Sequence, residues 1–520
     1  MAVCRNYQHF LPLGNQFDHR TSVVLDLPNL LHFKYVDYLA ENYCIKNMNS
    51  LKEAHIDISL DIDNSDWSTF RDSVLGLLNG ISCAKRLYLS VPWYHDLSES
   101  KLHSLYEKYL KGHSTFKYFV DRVLMLCKRT HINKFRLNCV QSYDSNRIKR
   151  WIEFALLKGV SELDVFNSQF NSSVTQQIFV CATLVVLKLP GKFEMKLPES
   201  YFLPNLKFLQ LKSGCFPKNF PLNRLMSVCP MLEDLVLGGR WGDDVKVINI
   251  SSPTLINLTM NFITTSNYDR PRTDVLLDLP NLLYFNYEDI LAIHYSMNLN
   301  SLVDARIRTA LTGRRYDPDD ESPQNFSDSM IELLKGVSSA KHLYLSGGLQ
   351  ALSFGEDKLP SFHLGEYKRF PSFNHLSCLD IDLSSQCGIW EHFLLAFLHS
   401  SPMLENLVIP GGLPASSFIY VSKSKSKSRS KICFWDGLKT PPSCLSSHLK
   451  TITIGSFHAQ EYEELGVTKY FLKYGKVLTK LILYCKLKSE KEYTELKQLF
   501  KIGRLASKKC SLDLLNDDTT

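Results

Sequence analysis

Between Cys181 and Met260 the chain says one short phrase four times: CATLVVLKL, LPNLKFLQL, CPMLEDLVL and SPTLINLTM. Aligned on their last apolar residue, the phrases end at Leu189, Leu211, Leu237 and Met260, 22, 26 and 23 residues apart. The pattern L-x-x-L-x-L puts Leu184/Leu187/Leu189, Leu206/Leu209/Leu211, Leu232/Leu235/Leu237 and Leu255/Leu258/Met260 at matching places. Its closing L-x-L has the period of two that marks a strand with one buried face. A single short strand of this kind cannot bury that face, whereas stacked copies can. The phrase therefore predicts a solenoid in which the strands run parallel along one side. The leucines belong to its core.

A period of 22 to 26 residues with this phrase is that of leucine-rich repeats. At 520 residues the chain is too long for one compact core and suits a solenoid of many repeats. Sixty Lys and Arg against 53 Asp and Glu give a formal charge of +7 with no strong local concentration, which is thin support for nucleic-acid binding. No run of 18 apolar residues occurs, and the first twenty residues lack a signal-peptide core, so neither a membrane span nor secretion is expected. The 14 cysteines form no CxxC pair or regular framework, as expected of reduced thiols in an intracellular protein, cytoplasmic or nuclear.

A second, much longer repetition overlies the first. From Leu25 to Ala40 and from Leu277 to Ala292, 12 of 16 positions are identical, and NSLKEAHI at Asn49 returns as NSLVDARI at Asn300. LLNGISCAKRLYLS, from Leu77, returns as LLKGVSSAKHLYLS, from Leu333. The offsets are 252, 251 and 256 residues, so residues 25–90 and 277–346 are one block present twice, and the two copies should share one local structure. Between them, Phe119, Val123, Leu124 and Leu126 have helical spacing before a strand ending at Phe135 and Leu137. Ile148, Trp151, Ile152, Ala155 and Leu156 then form one apolar helix face before Leu163 and Val165, so Trp151 is read as core rather than as a ligand platform.

The segments FVDRVL from Phe119, INKFRLNC from Ile132, WIEFALLKGVSELDV from Trp151, CATLVVLKL and CPMLEDLVL resemble, in this order, the plant F-box/leucine-rich-repeat family. FPSFNHLSCLDIDL from Phe370 and WEHFLLAFLHSSPMLENLVI from Trp390 resemble its closing repeats, and residues 441–485 resemble the FBD domain that follows them. The resemblance implies an α/β fold: a leucine-rich-repeat solenoid, with a curved parallel sheet and helices on the convex side, followed by a small C-terminal α/β FBD domain. In that last part, Leu449, Ile452 and Ile454 predict a strand, Glu461 to Leu472 a helix, Leu478, Leu481 and Leu483 a strand, and Lys488 to Ser507 a final charged helix. The expected organisation is a partial repeat block at 1–90, a connector at 91–113, the solenoid at 114–410, a Lys/Ser-rich loop or linker at 411–440 and the FBD-like domain at 441–520. The basic run VSKSKSKSRSKI, residues 421–432, reads as a solvated loop, with a nuclear-import patch as the alternative.

The family's F-box, a helical unit opening on a leucine-proline pattern, is not recognisable in this chain. Val91 to His113 has some helical spacing without that opening. The implied partners are an unknown target protein and, through an F-box, the Skp adaptor and cullin of a ubiquitin ligase. Without that unit, the expectation is a target-recognition module that holds a protein without recruiting the adaptor. A binder of nucleic acid or another anionic surface, and a fused or truncated paralogue without F-box activity, are the alternatives.

Phosphate-cradling, zinc-ligating and nucleophile-elbow motifs are absent from the sequence, so neither an enzyme nor a cofactor is expected. His342 near Cys378, and Asp380 with Asp382, are isolated candidates with ordinary strand explanations. The candidate binding residues instead follow from strand alternation. Those between the last two apolar positions face the concave side: Arg136, Asp164, Lys188, Gln210, Val236, Thr259, Asn286, Arg306, Tyr344 and Asp380, with Val408 next in line. Mixed charge and few aromatics fit a polar protein interface better than a phosphate track.

Overall fold

The computed structural model describes residues 2–4, 22–38, 42–59, 75–77, 80–81, 83–90, 117, 120–125, 131–139, 145–173, 176–194, 202–216, 220, 222–242, 245–262, 272–310, 323–347, 370–383, 390–414, 434–438, 440–457, 462–485 and 506–516. The chain divides into two compact units, Met1–Phe216 with Arg224–Gly239, and Pro217–Asn223 with Arg240–Thr520.

The first unit contains strands β1 (Ala2–Cys4), β2 (Ser22–Asp26), β3 (His32–Tyr38), β4 (Asn42–Lys46), β5 (Glu53–Ser59), β6 (Arg86–Ser90), β7 (Lys134–Cys139), β8 (Glu162–Ser173), β9 (Val186–Glu194), β10 (Phe208–Phe216) and β11 (Asp234–Trp241), whose last two residues fall in the second unit. Strands β3, β5, β6, β7, β8, β9 and β10 pair side by side, all parallel, and β1 pairs with β3. The expected core positions line up across them: Leu87 opposite Phe135, Phe135 opposite Leu163, Leu163 opposite Leu187 and Leu187 opposite Leu209. All of these are buried. The β6–β7 pairing also joins the first copy of the duplicated block to the repeats that follow it, as continuity of the solenoid requires.

Helix α1 (Ser145–Leu157) buries Ile148, Trp151, Ile152 and Ala155, the face its spacing predicts. Trp151 is core, and its Nε1 donates to Asp121 Oδ1 at 2.7 Å, which satisfies the one polar atom the burial would otherwise strand.

The second unit contains β12 (Val247–Ser251), β13 (Asn257–Asn261), β14 (Asp274–Asp278), β15 (Tyr284–Ile290), β16 (Tyr295–Asn298), β17 (Asp304–Ala310), β18 (His342–Ser346), β19 (Cys378–Asp382), β20 (Asn406–Ile409), β21 (Thr451–Phe457), β22 (Lys480–Cys485) and β23 (Ser511–Asn516). Strands β13, β15, β17, β18, β19, β20, β21, β22 and β23 pair consecutively, every one parallel. Helices α2 (Pro323–Gly336), α3 (Trp390–Ser400) and α4 (Tyr462–Tyr474) lie between them in the chain.

Two features extend the sequence reading. The FBD-like strands do not start a new sheet: β21 pairs with the last repeat strand in register, Leu407 opposite Ile452, and β22 and β23 continue the row. Strand β23 was not foreseen, and the charged helix expected at 488–507 lies almost wholly outside the described residues, as do the connector 91–113 and the run 421–432. The duplicated block also carries a second parallel ladder beside the repeat strands, β2–β4 in the first copy and β12–β14–β16 around the second, where a helix would stand in other repeats. Its period-two pattern, Val275/Leu277 buried against exposed Asp278, selects strand over helix.

The two copies are equivalent down to register. Val23 faces Tyr43 as Val275 faces Tyr295, and His32 faces Glu53 as Tyr284 faces Asp304. The Tyr35–Tyr43 edge-on ring contact, 5.7 Å between centroids, returns as Tyr287–Tyr295 at 6.0 Å. Just before the second copy a buried arginine ties this region to α2. Arg272 donates to the carbonyls of Leu291 and Ala292 at 2.9 and 2.5 Å and to Ser329 Oγ at 2.8 Å, and its guanidinium lies over the Phe326 ring.

Two stability predictions follow from these contacts. Leu209 is 1% exposed at the centre of the first unit's core, so Leu209→Ala is expected to cost about 2–5 kcal/mol through lost transfer energy and a cavity, read as a lowered urea midpoint. Arg272→Ala leaves two buried carbonyls and a hydroxyl without their donor and is expected to cost about 3–5 kcal/mol in the same assay.

Candidate functional site

Strand alternation gives each sheet a face directed away from its leucines, and every sequence-predicted residue lies on it. In the first unit, register places Arg136, Asp164, Lys188 and Gln210 in one continuous row across β7 to β10. Val236 occupies the same position on β11, between buried Leu235 and Leu237. In the second unit, Thr259, Asn286, Arg306, Tyr344, Asp380 and Val408 form one row across β13 to β20.

The first row continues past Arg136 toward β3. Tyr88 stands opposite Arg136, His55 opposite Tyr88 and Lys34 opposite His55. The duplication carried the signal for them: Lys34, His55 and Tyr88 hold the places of Asn286, Arg306 and Tyr344 in the other copy, all three already identified.

Charges on the first unit's face are paired across strands. Glu53 is held by Arg86 Nε at 2.8 Å, by His55 Nε2 at 2.5 Å and by His32 Nδ1 at 3.3 Å. Burial opposes ionisation of Glu53, but the hydrogen bonds from His55 and Arg86 outweigh it and keep the carboxyl below its ordinary range. Lys134 reaches Glu162 at 2.6 Å, and Arg136 reaches Asp164 at 3.2 Å. Asp164 itself is nearly enclosed, and burial raises its pKa despite Arg136 and Lys188. The His55 and Tyr88 rings stack face to face at 3.8 Å between centroids, with Lys134 Nζ 5.6 Å from the Tyr88 ring, and Lys188 Nζ lies 4.9 Å from the Phe208 ring.

On the second unit's face, Arg308 meets Glu288 at 3.2 Å, and Arg306 and His342 lie 3.6 and 3.8 Å from Asp304. Burial raises the pKa of Asp380, whose Oδ1 has no hydrogen-bond partner. His342 does stand opposite Cys378 in register. The thiol is held above its ordinary range by burial and then by the charges of Asp380 and Asp304, which is the reverse of what a nucleophilic cysteine needs. Among the described residues, no group of three or more His, Cys, Asp or Glu is placed to hold a metal ion, and no helix is long and apolar enough to cross a membrane.

A parallel solenoid with a polar, charge-paired strand face and a leucine core is the architecture of a leucine-rich-repeat protein. Residues 148–288 match the leucine-rich-repeat profile of the FBD-associated F-box protein At5g56370, and residues 438–483 match the FBD profile. The chain is 32% identical to the F-box/LRR-repeat protein At3g59200 of Arabidopsis thaliana over 78% of its own length and 76% of the relative's. It is 32% identical to the putative F-box/FBD/LRR-repeat protein At3g59240, covering 78% of each chain, and 30% identical to the F-box/LRR-repeat protein At4g14096, covering 87% of its own length and 97% of the relative's, both from the same plant. The chain belongs to the plant F-box/FBD/leucine-rich-repeat family, which points to a role in protein interaction.

The Glu53 cluster gives a pH test. A carboxyl titrating below its ordinary value of 4.5 in the folded state stabilises the fold above that pH, and the contribution disappears as pH falls through the folded value. Glu53→Gln is therefore expected to lower stability by about 1–2 kcal/mol at pH 7, with the deficit shrinking as acidification protonates the parent's carboxyl, measured by urea unfolding across the acid range.

Proposed function

We propose that this chain is a non-enzymatic recognition module, resembling the substrate-binding part of a Skp-cullin-F-box ubiquitin-ligase receptor, and that it holds a target protein on its strand face. The supporting observation is the pair of continuous rows, Lys34 to Gln210 in one unit and Thr259 to Val408 in the other, in which polar and charged side chains stand on rigid strands a repeat apart. Groups fixed in this way lose little freedom on contact, which favours binding. Interspersed charge of both signs suits the rim and specificity contacts of a protein interface. Under this reading each row is a contact surface within its own unit, while any adaptor contact falls to segments such as 91–113.

Site-specific photocrosslinking tests the face. With a benzophenone side chain at Lys188 or Tyr344, discrete protein adducts are expected in plant extract, and at Leu157, exposed at the end of α1, none of the same adducts. Identical adducts from Leu157, or none from the face, would overturn the reading.

A further inference from the structure

The carboxylates on the first unit's face are internally compensated, while part of its cationic charge is not. Glu53 is shared by Arg86 and two histidines, Glu162 is taken by Lys134, and Asp57 accepts from Ser90. In Asp57 and Asp164, unlike Glu53, burial outweighs the neighbouring partners and raises the carboxyl above its ordinary range. Three cations in the central row carry charge beyond these pairings. Lys34 acts on Asp57, and Lys188 on Asp164, through space rather than by an ion pair, and Lys188 also caps the Phe208 ring. Arg136 engages Asp164 through Nε, in a side chain that remains 56% exposed.

From these observations we infer that the first unit's face takes an extended acidic segment of a partner protein, its carboxylates meeting Lys34, Arg136 and Lys188 and its backbone crossing the His55–Tyr88 stack. The inference rests on the strand face being the target-binding surface and adds the chemistry of what it binds. Geometry sets the spacing. Neighbouring strands are about 4.8 Å apart, so Lys34 and Arg136, three strands apart, are separated by about 14 Å, and Arg136 and Lys188, two apart, by about 10 Å. An extended peptide advances about 3.3 Å per residue and alternates its side chains, so acidic residues two or four positions apart, all on one face, come within reach of the cations in the row. A phosphate backbone fits less well. It presents charge at every nucleotide and would meet Asp164 between Arg136 and Lys188, with Glu53 and Glu162 in the adjoining row, whereas a peptide can leave those positions neutral.

The full-length protein is immobilised and used to select from a displayed library of random twelve-residue peptides, and a dT12 oligonucleotide is titrated separately. The expected result is enrichment of Asp and Glu at two- or four-residue spacing. Selected peptides should lose at least tenfold in affinity to Arg136→Glu/Lys188→Glu and be unaffected by Lys149→Glu/Arg150→Glu on the exposed side of α1. Basic or purely apolar winners, acidic winners insensitive to the Arg136/Lys188 reversal, or dT12 binding tighter than any peptide would overturn the inference. If crosslinks form from the face but acidic peptides are not enriched, the chemistry assigned here fails while the face remains the target site; if no face crosslinks form, the broader reading fails first.

Discussion

One backbone carbonyl per repeat accepts two consecutive N–H groups from the next, and the fold is built on that bond pair. In the first unit the accepting carbonyls are those of Leu31, Lys52, Lys85, Asn133, Ser161, Val185 and Lys207. In the second they are Ile256, Leu283, Val303, Lys341, Ser377, Glu405 and Lys450. Each lies just before its strand, so the bond pair sets the register that then runs the length of the strand. A turn bond three residues long precedes it, as from Leu206 N to Leu203 O and from Leu404 N to Ser401 O, delivering the first leucine of the phrase to the core. Apolar burial supplies the driving force, but this geometry decides which leucine stands over which.

The same relay explains why the C-terminal segment continues the repeats. Glu405 hands on to Lys450 and Lys450 to Thr479 with the same two-donor bond seen among the leucine-rich repeats. The helix of that segment occupies the place of the helices before it, packing Val467 and Phe471 inward. A family boundary drawn from sequence at residue 438 thus crosses no break in hydrogen bonding.

Much of this was legible in the chain. The L-x-x-L-x-L phrase states both period and face, so burial of Leu187, Leu209 and Leu235 and partial exposure of Lys188, Gln210 and Val236 between the leucines follow from alternation alone. The second ladder was less legible, because VLL at Val275 is a three-residue apolar run that suits a strand or a short buried helix equally. Strand β23 was missed because SLDLLN lacks the upstream leucine that marks the other repeats. The face was half read: its residues could be named, but not their partners. Glu53 meets Arg86 from 33 residues away, and that distance is set by a loop length no local pattern encodes.

The continuity of the parallel row from Asn257 to Asn516 has a consequence for how such a chain tolerates change. Cutting it within the row, after Ile409 for instance, would leave a file of unpaired amides and carbonyls where β21 now sits, an open seam that any extended chain could zip onto. Inserting a whole block opens no such seam, because the incoming carbonyl accepts from the next repeat just as its predecessor did. Residues 25–90 and 277–346, one block present twice with its partner residues in the same register, are a repetition of that harmless kind.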